Sequence, residues 1–185
     1  MQREELAWNL FAELRKEVLS TQQLRAGAIA VKITFVATAL GAIVAYVKPM
    51  DVYILMLPAF ASAFFDLLII SYSFAIKRKG AYARTCLEPI LREFSTWPDH
   101  IPLWEEYMSK QSHRQVLSFV ANVGFSFLVA APAFVLLIRN PQTPFALPLV
   151  GSLGGLLLYV AHAHNRLNYF LAMRTAPTRL SAPYQ

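Results

Sequence analysis

Apolar positions along the chain form two kinds of pattern, unbroken runs and one helical stripe. Four runs stand out, at about 27–47, 52–76, 116–138 and 145–169, the last most apolar up to Ala163. A hydrocarbon core of roughly 30 Å needs about 20 apolar helical residues to cross it. Each run meets that length and predicts a transmembrane helix. The stripe lies in residues 1–26, where Leu6, Leu10, Leu14, Val18, Thr21 and Leu24 recur at helical spacing. It predicts an amphipathic helix that packs on other cytosolic helices or lies in the bilayer interface. No Gly or Pro occurs before Gly27, so this helix can run straight into the first span.

The connections follow from the breaks. Lys48 to Asp51 reads as a tight turn. Beyond Ile76 the helical pattern continues to Glu88, and Pro89 or the Trp97-Pro98 segment should end or kink it. Ser95 to Pro102 is loop-like, and Leu103 onward resumes helical character. Residues 77–115 therefore predict a cytosolic helical hairpin. Pro132 should kink the third span near its outer end. A short outer loop follows Arg139, and 172–185 reads as a flexible tail. The expected fold is all-α: an integral membrane four-helix bundle over 27–171, with an N-terminal amphipathic helix and the hairpin.

Composition agrees. The mean hydropathy is +0.42 and only 15% of residues are charged, against about 25% in soluble domains. A single cysteine, Cys86, excludes an internal disulfide. The N-terminus carries acids and no apolar core segment, so it does not read as a cleavable signal. The net charge of +6 bears on orientation before it bears on nucleic acid, and no nucleic-acid partner is expected. Residues 1–26, 77–115 and 166–185 hold 14 Lys and Arg; the other two connections hold only Lys48 and Arg139. The positive-inside rule then places both termini and the hairpin in the cytoplasm, which for a bacterium means the inner membrane.

Chemistry within the spans centres on Asp66, the one charge in residues 52–76. Intramembrane acids are costly and usually face protein or a water-filled path. Asp66 shares a face with Ala59, Ala63, Ile70 and Ser73. Ser118, Asn122 and Ser126 align on the third span, Ser152, Gly155, Tyr159 and His162 on the fourth, and Thr34 and Thr38 on the first. Such faces should point toward protein or water. Lys32 sits about one and a half turns inside the first span and can snorkel outward or reach partway toward Asp66. Asp66, Asn122, Ser126, Lys32 and His162 are the candidates for an ion path. Lys77, Arg78, Lys79 and Arg84 lie directly below a span and are candidates for anionic lipid or a partner. Ala37, Gly41 and Ala45, and Gly151 with Gly155, are small-residue ridges suited to helix association.

No nucleotide, hydrolase or metalloprotease motif is present, so no enzyme activity is expected. His162 and His164 fall on different faces and cannot form one ligand pair. With Cys86 alone, neither haem, zinc nor another cofactor is expected.

Glu13-Leu14-Arg15-Lys16-Glu17-Val18-Leu19, Tyr82-Ala83-Arg84-Thr85-Cys86-Leu87-Glu88-Pro89 and Trp104-Glu105-Glu106-Tyr107 resemble motifs of a group of bacterial four-span membrane proteins of uncharacterised activity. The resemblance covers roughly the first 107 residues. It implies four spans and a helical cytosolic hairpin and supplies no activity; small multi-span proteins of this type are candidate effectors in bacterial defence. It supplies no counterpart for Asp66. Two functions therefore compete. One is a homo-oligomeric channel or membrane-perturbing effector. The other is a non-conducting anchor that presents the hairpin to a soluble protein. A path requires Asp66, Asn122 and Ser126 to face water; an anchor requires them to face one another.

Overall fold

The computed structural model describes residues 3–46, 52–94, 115–139 and 145–174. The expected turn at 48–51, loop at 95–102, second hairpin arm at 103–114, outer loop at 140–144 and the tail from 175 onward lie outside the described residues. The described chain is all-α. Helix α1 spans Arg3–Tyr46, α2 Val52–Tyr82, α3 Glu88–Phe94, α4 Gln115–Arg139 and α5 Ala146–Arg174, with a π-helical turn, Ala83–Leu87, between α2 and α3. Four of these helices are long and apolar enough to cross a membrane.

The amphipathic segment and the first span are one helix of 44 residues, as the missing breakers suggested. Its inward stripe differs from the expected one. Ala7, Thr21, Ala28, Lys32, Val36 and Ile43 are buried, and Phe11, Leu14, Val18 and Arg25 are half-buried; Leu6, Leu10 and Leu24 face outward. From Ala7 to Lys32 the inward positions alternate steps of four and three residues, the coiled-coil period. A period of 3.5 keeps one seam against a long partner, here α2 and its extension.

Helix α2 is the centre. Helices α1, α4 and α5 all pack on it, and α4 packs on α5. Its expected inward face is the buried one: Ala59, Ala63, Asp66, Ile70 and Ser73 are each at most 7% exposed. In lipid, burying leucine against leucine gains little transfer energy, so close approach and van der Waals fit hold the helices. Ala59 and Ala63 of α2 and Ala130 and Ala133 of α4 supply that approach, each fully buried. Leu153 and Leu157 of α5 complete this layer. A second, smaller layer contains Ile70, Val123 and Val160.

Pro89 does not end the helix. Its ring would collide with the Thr85 carbonyl in a regular α-turn. The backbone widens instead, and the Glu88 N–H donates to the Ala83 carbonyl five residues back. The rod then continues to Phe94. Pro58 and Pro132 are likewise carried inside α2 and α4.

Two expected faces are corrected. Thr34, Ala37, Thr38, Gly41 and Ala45 of α1, and Gly151, Ser152, Gly155, Tyr159 and His162 of α5, lie on the outside of the described bundle. The inward face of α5 is Leu153, Leu157, Val160 and His164. Both are flanking helices, so only one side of each meets α2.

Candidate functional site

Between the two apolar layers sits a polar network drawn from three helices. Lys32 does not snorkel. It turns inward, and its Nζ donates to Asp66 Oδ1 at 2.6 Å and to the Asn122 main-chain carbonyl at 2.9 Å. A helical carbonyl already accepts one intrahelical bond, and its second lone pair takes the lysine. Nζ also lies 5.3 Å from the centre of the Phe125 ring, within cation–π range. Ser126 donates to the other carboxylate oxygen, Asp66 Oδ2. Ser62 and Ser126 lie 2.7 Å apart through their hydroxyls. Because the Ser126 proton is committed to Asp66, Ser62 is the donor of that bond.

The helical spacing explains the convergence. Ser62 and Asp66 are four residues apart on α2, and Asn122 and Ser126 four apart on α4, so each pair shares one face. Lys32 falls on the inward seam of α1. The network is closed off: Lys32 and Asp66 side chains are 2% and 1% exposed, and Ser62 and Ser126 are fully buried. Two ammonium N–H bonds go to Asp66 and the Asn122 carbonyl, each carboxylate oxygen accepts one bond, and the two hydroxyls bond each other. A buried charge is tolerated under this condition, since an uncompensated one costs several kcal/mol.

The structure thus brings Asp66, Lys32 and Ser126 together, with Asn122 contributing its carbonyl. His162 stands apart on the outer side of α5. Ser62 was missed in the sequence, although its place four residues before Asp66 on a predicted inward face is a readable signal. Among the basic candidates, Arg78 is exposed and Lys77 half-buried. Lys79 pairs with Glu17 at 3.1 Å and donates to Thr21 Oγ1 at 3.3 Å. Arg84 is half-buried in the π-helical turn. Among the described residues, no three His, Cys, Asp or Glu side chains group as a metal site would require.

No family model, curated protein or solved structure matches the chain.

Proposed function

We propose that the chain is a membrane anchor: a closed four-span bundle that does not conduct, and that holds a helical extension in the cytoplasm for a soluble protein. One observation carries this reading. Lys32, Asp66, Ser126 and Ser62, three of them expected along an ion path, bond one another in a closed-off network instead of lining an open path. The long rod of α2, the π-helical turn and α3, with the N-terminal half of α1 packed along it, is the presented element. The 14-to-2 charge asymmetry supports a cytoplasmic position for it.

One observation favours a second reading, an oligomeric channel. The small and polar faces of α1 and α5 lie outward, where copies could meet. A path would then run between chains, past Thr34 and Thr38, and the Lys32–Asp66 pair would lie off it.

Ion flux into liposomes holding the purified protein separates the readings. The anchor should give no flux above empty liposomes. Flux in wild type that is lost on Asp66→Asn, with assembly intact, would overturn it. Flux that survives Asp66→Asn but falls on Thr34→Val with Thr38→Val would establish the inter-chain path. For the presented surface, a photocrosslinker at exposed Tyr82 should give one discrete protein adduct in cells.

A further inference from the structure

Helices α1 and α2 leave a groove of about 500 Å³ along one side of their seam. Its volume is that of a small-molecule site, roughly 300–1,000 Å³. The cause is local. Gly27 and Ala28 bring a hydrogen and a methyl group where larger side chains would fill the space, and a β-carbon built on Gly27 meets nothing within 4 Å. Leu24 and Val31 of α1 and Phe65 and Leu68 of α2 form the apolar walls. Ser20, Gln23 and Tyr72 supply the polar part of the lining.

The two kinds of lining residue are not mixed. Glu17 faces Lys79 and Lys32 faces Asp66, which fixes the antiparallel register. Ser20, Gln23 and Tyr72 therefore gather at the end toward Lys79, and Val31 and Phe65 at the end toward the buried pair. The apolar run of α2 ends at Ile76, one turn beyond Tyr72. The groove thus starts polar at the edge of the hydrocarbon and runs apolar into it. From Ser20 to Val31 it extends roughly 16 Å at the helical rise. One leaflet supplies about half of a 30 Å hydrocarbon core. Beyond Val31 the Phe35 and Phe65 rings meet across the seam, 6.3 Å between centres. The hollow has the length of one lipid chain in one leaflet, where a helix of a second chain would need a face running through both.

The polar end narrows the class further. Ser71, Ser73 and Ser152 each donate to a carbonyl of their own helix. Ser20, Gln23 and Tyr72 make no hydrogen bond to any described residue. They offer two hydroxyls and a carboxamide, all neutral donors, and no charged side chain lines the groove. Neutral donors at the foot of a chain-length apolar slot match the ester carbonyls that join acyl chains to glycerol. We propose that this groove binds one acyl chain of a diacyl glycerolipid from the adjoining leaflet, with its ester linkage held by Ser20, Gln23 and Tyr72. The lipid gains close fit and hydrogen bonds there, since transfer from bilayer to groove brings little hydrophobic energy.

The test uses the full chain in detergent, titrated with diacyl phosphatidylcholine, with the dialkyl ether lipid of the same chain length, and with diacyl phosphatidylglycerol. Native mass spectrometry reads the lipids retained and the number of protein copies. The ether lipid lacks the ester carbonyls and should be held about fivefold more weakly than its diacyl counterpart. The two diacyl lipids should be retained alike. This comparison uses the unaltered chain, so it needs no variant to fold. Gly27→Leu places a side chain in the groove without meeting protein and should abolish the retained lipid. Gly151→Leu, the same change at an open position on α5, should leave it in place. Equal retention of ester and ether lipids would overturn the recognition of the ester. Selection of phosphatidylglycerol over phosphatidylcholine would mean that headgroup charge decides. Equal loss from Gly27→Leu and Gly151→Leu would mean a general lipid coat. Lipid retention that survives Gly27→Leu while a protein dimer is lost would assign the groove to a second copy of the chain.

Discussion

Helices α1 and α2 are joined by two lysine–carboxylate bridges that differ in almost everything but chemistry. Lys32–Asp66 lies between apolar layers, 2.6 Å long, with both side chains at most 2% exposed. Lys79–Glu17 lies beyond the apolar runs, 3.1 Å long, with Lys79 26% and Glu17 64% exposed. The polarity is reversed, since the cation is on α1 in the first and on α2 in the second. Together with the Phe35–Phe65 ring contact, they run in opposite order along the two helices, as antiparallel packing requires. The surface bridge has water as a ready alternative partner, so it contributes about 0–1 kcal/mol. The buried bridge has no such alternative, so each partner is indispensable to the other even if the pair adds little net stability. A contact seen in a structure therefore says little about energy until the alternative for each group is known.

That contrast can be broken in three places, taken from the largest effect down. Asp66→Asn should lower unfolding free energy by about 3–5 kcal/mol, because it strands the Lys32 ammonium. Adding Lys32→Met to that variant should recover most of the loss. A thermal melt of Asp66→Asn in detergent that matches wild type would show that Lys32 does not depend on Asp66.

Ser126→Ala should come next, at about 1–3 kcal/mol. It removes the donor to Asp66 Oδ2 and the acceptor for Ser62 together. Ser126→Thr keeps the hydroxyl and should cost less. Equal melting temperatures for the two variants would remove the hydrogen bonds from the explanation.

Glu17→Gln should cost under about 1 kcal/mol, and that small loss should fade as salt is raised toward about 1 M. The Asp66→Asn loss should hardly respond to the same salt, since buried charges are poorly screened. Parallel salt dependence of the two variants would mean that the two bridges share one environment.

The four long apolar helices were legible because length and apolar composition, the two properties a crossing requires, can be read from sequence alone. The inward face of α2 was legible too, since Ala59, Ala63, Asp66, Ile70 and Ser73 are small or polar and α2 is surrounded. The same signal misled on α1 and α5. Small and polar residues mark a face suited to contact, but they do not say which neighbour is available. Lys32 was ambiguous because a lysine near the end of an apolar span can turn either way, and only the rotation of α1 against α2 decides it. The π-helical turn was not legible, because a proline forbids a regular α-turn without stating whether the chain stops or widens.

The burial of Lys32 against Asp66 also bears on how the protein enters its membrane. The two residues are 34 apart in the chain. At roughly 5–20 residues per second, synthesis separates their emergence by about 2–7 s. In that interval the first span carries an unmatched ammonium, which lies about a turn and a half inside the span, can reach the interface and so costs less than the roughly 2.5–3.5 kcal/mol of a charge at a helix centre. The second span alone would carry the mirror-image penalty from its carboxylate. Entry as a pair removes both, since neither charge then meets lipid without the other. The Lys32–Asp66 pair would thus favour entry of α1 and α2 as one helical hairpin over entry one helix at a time.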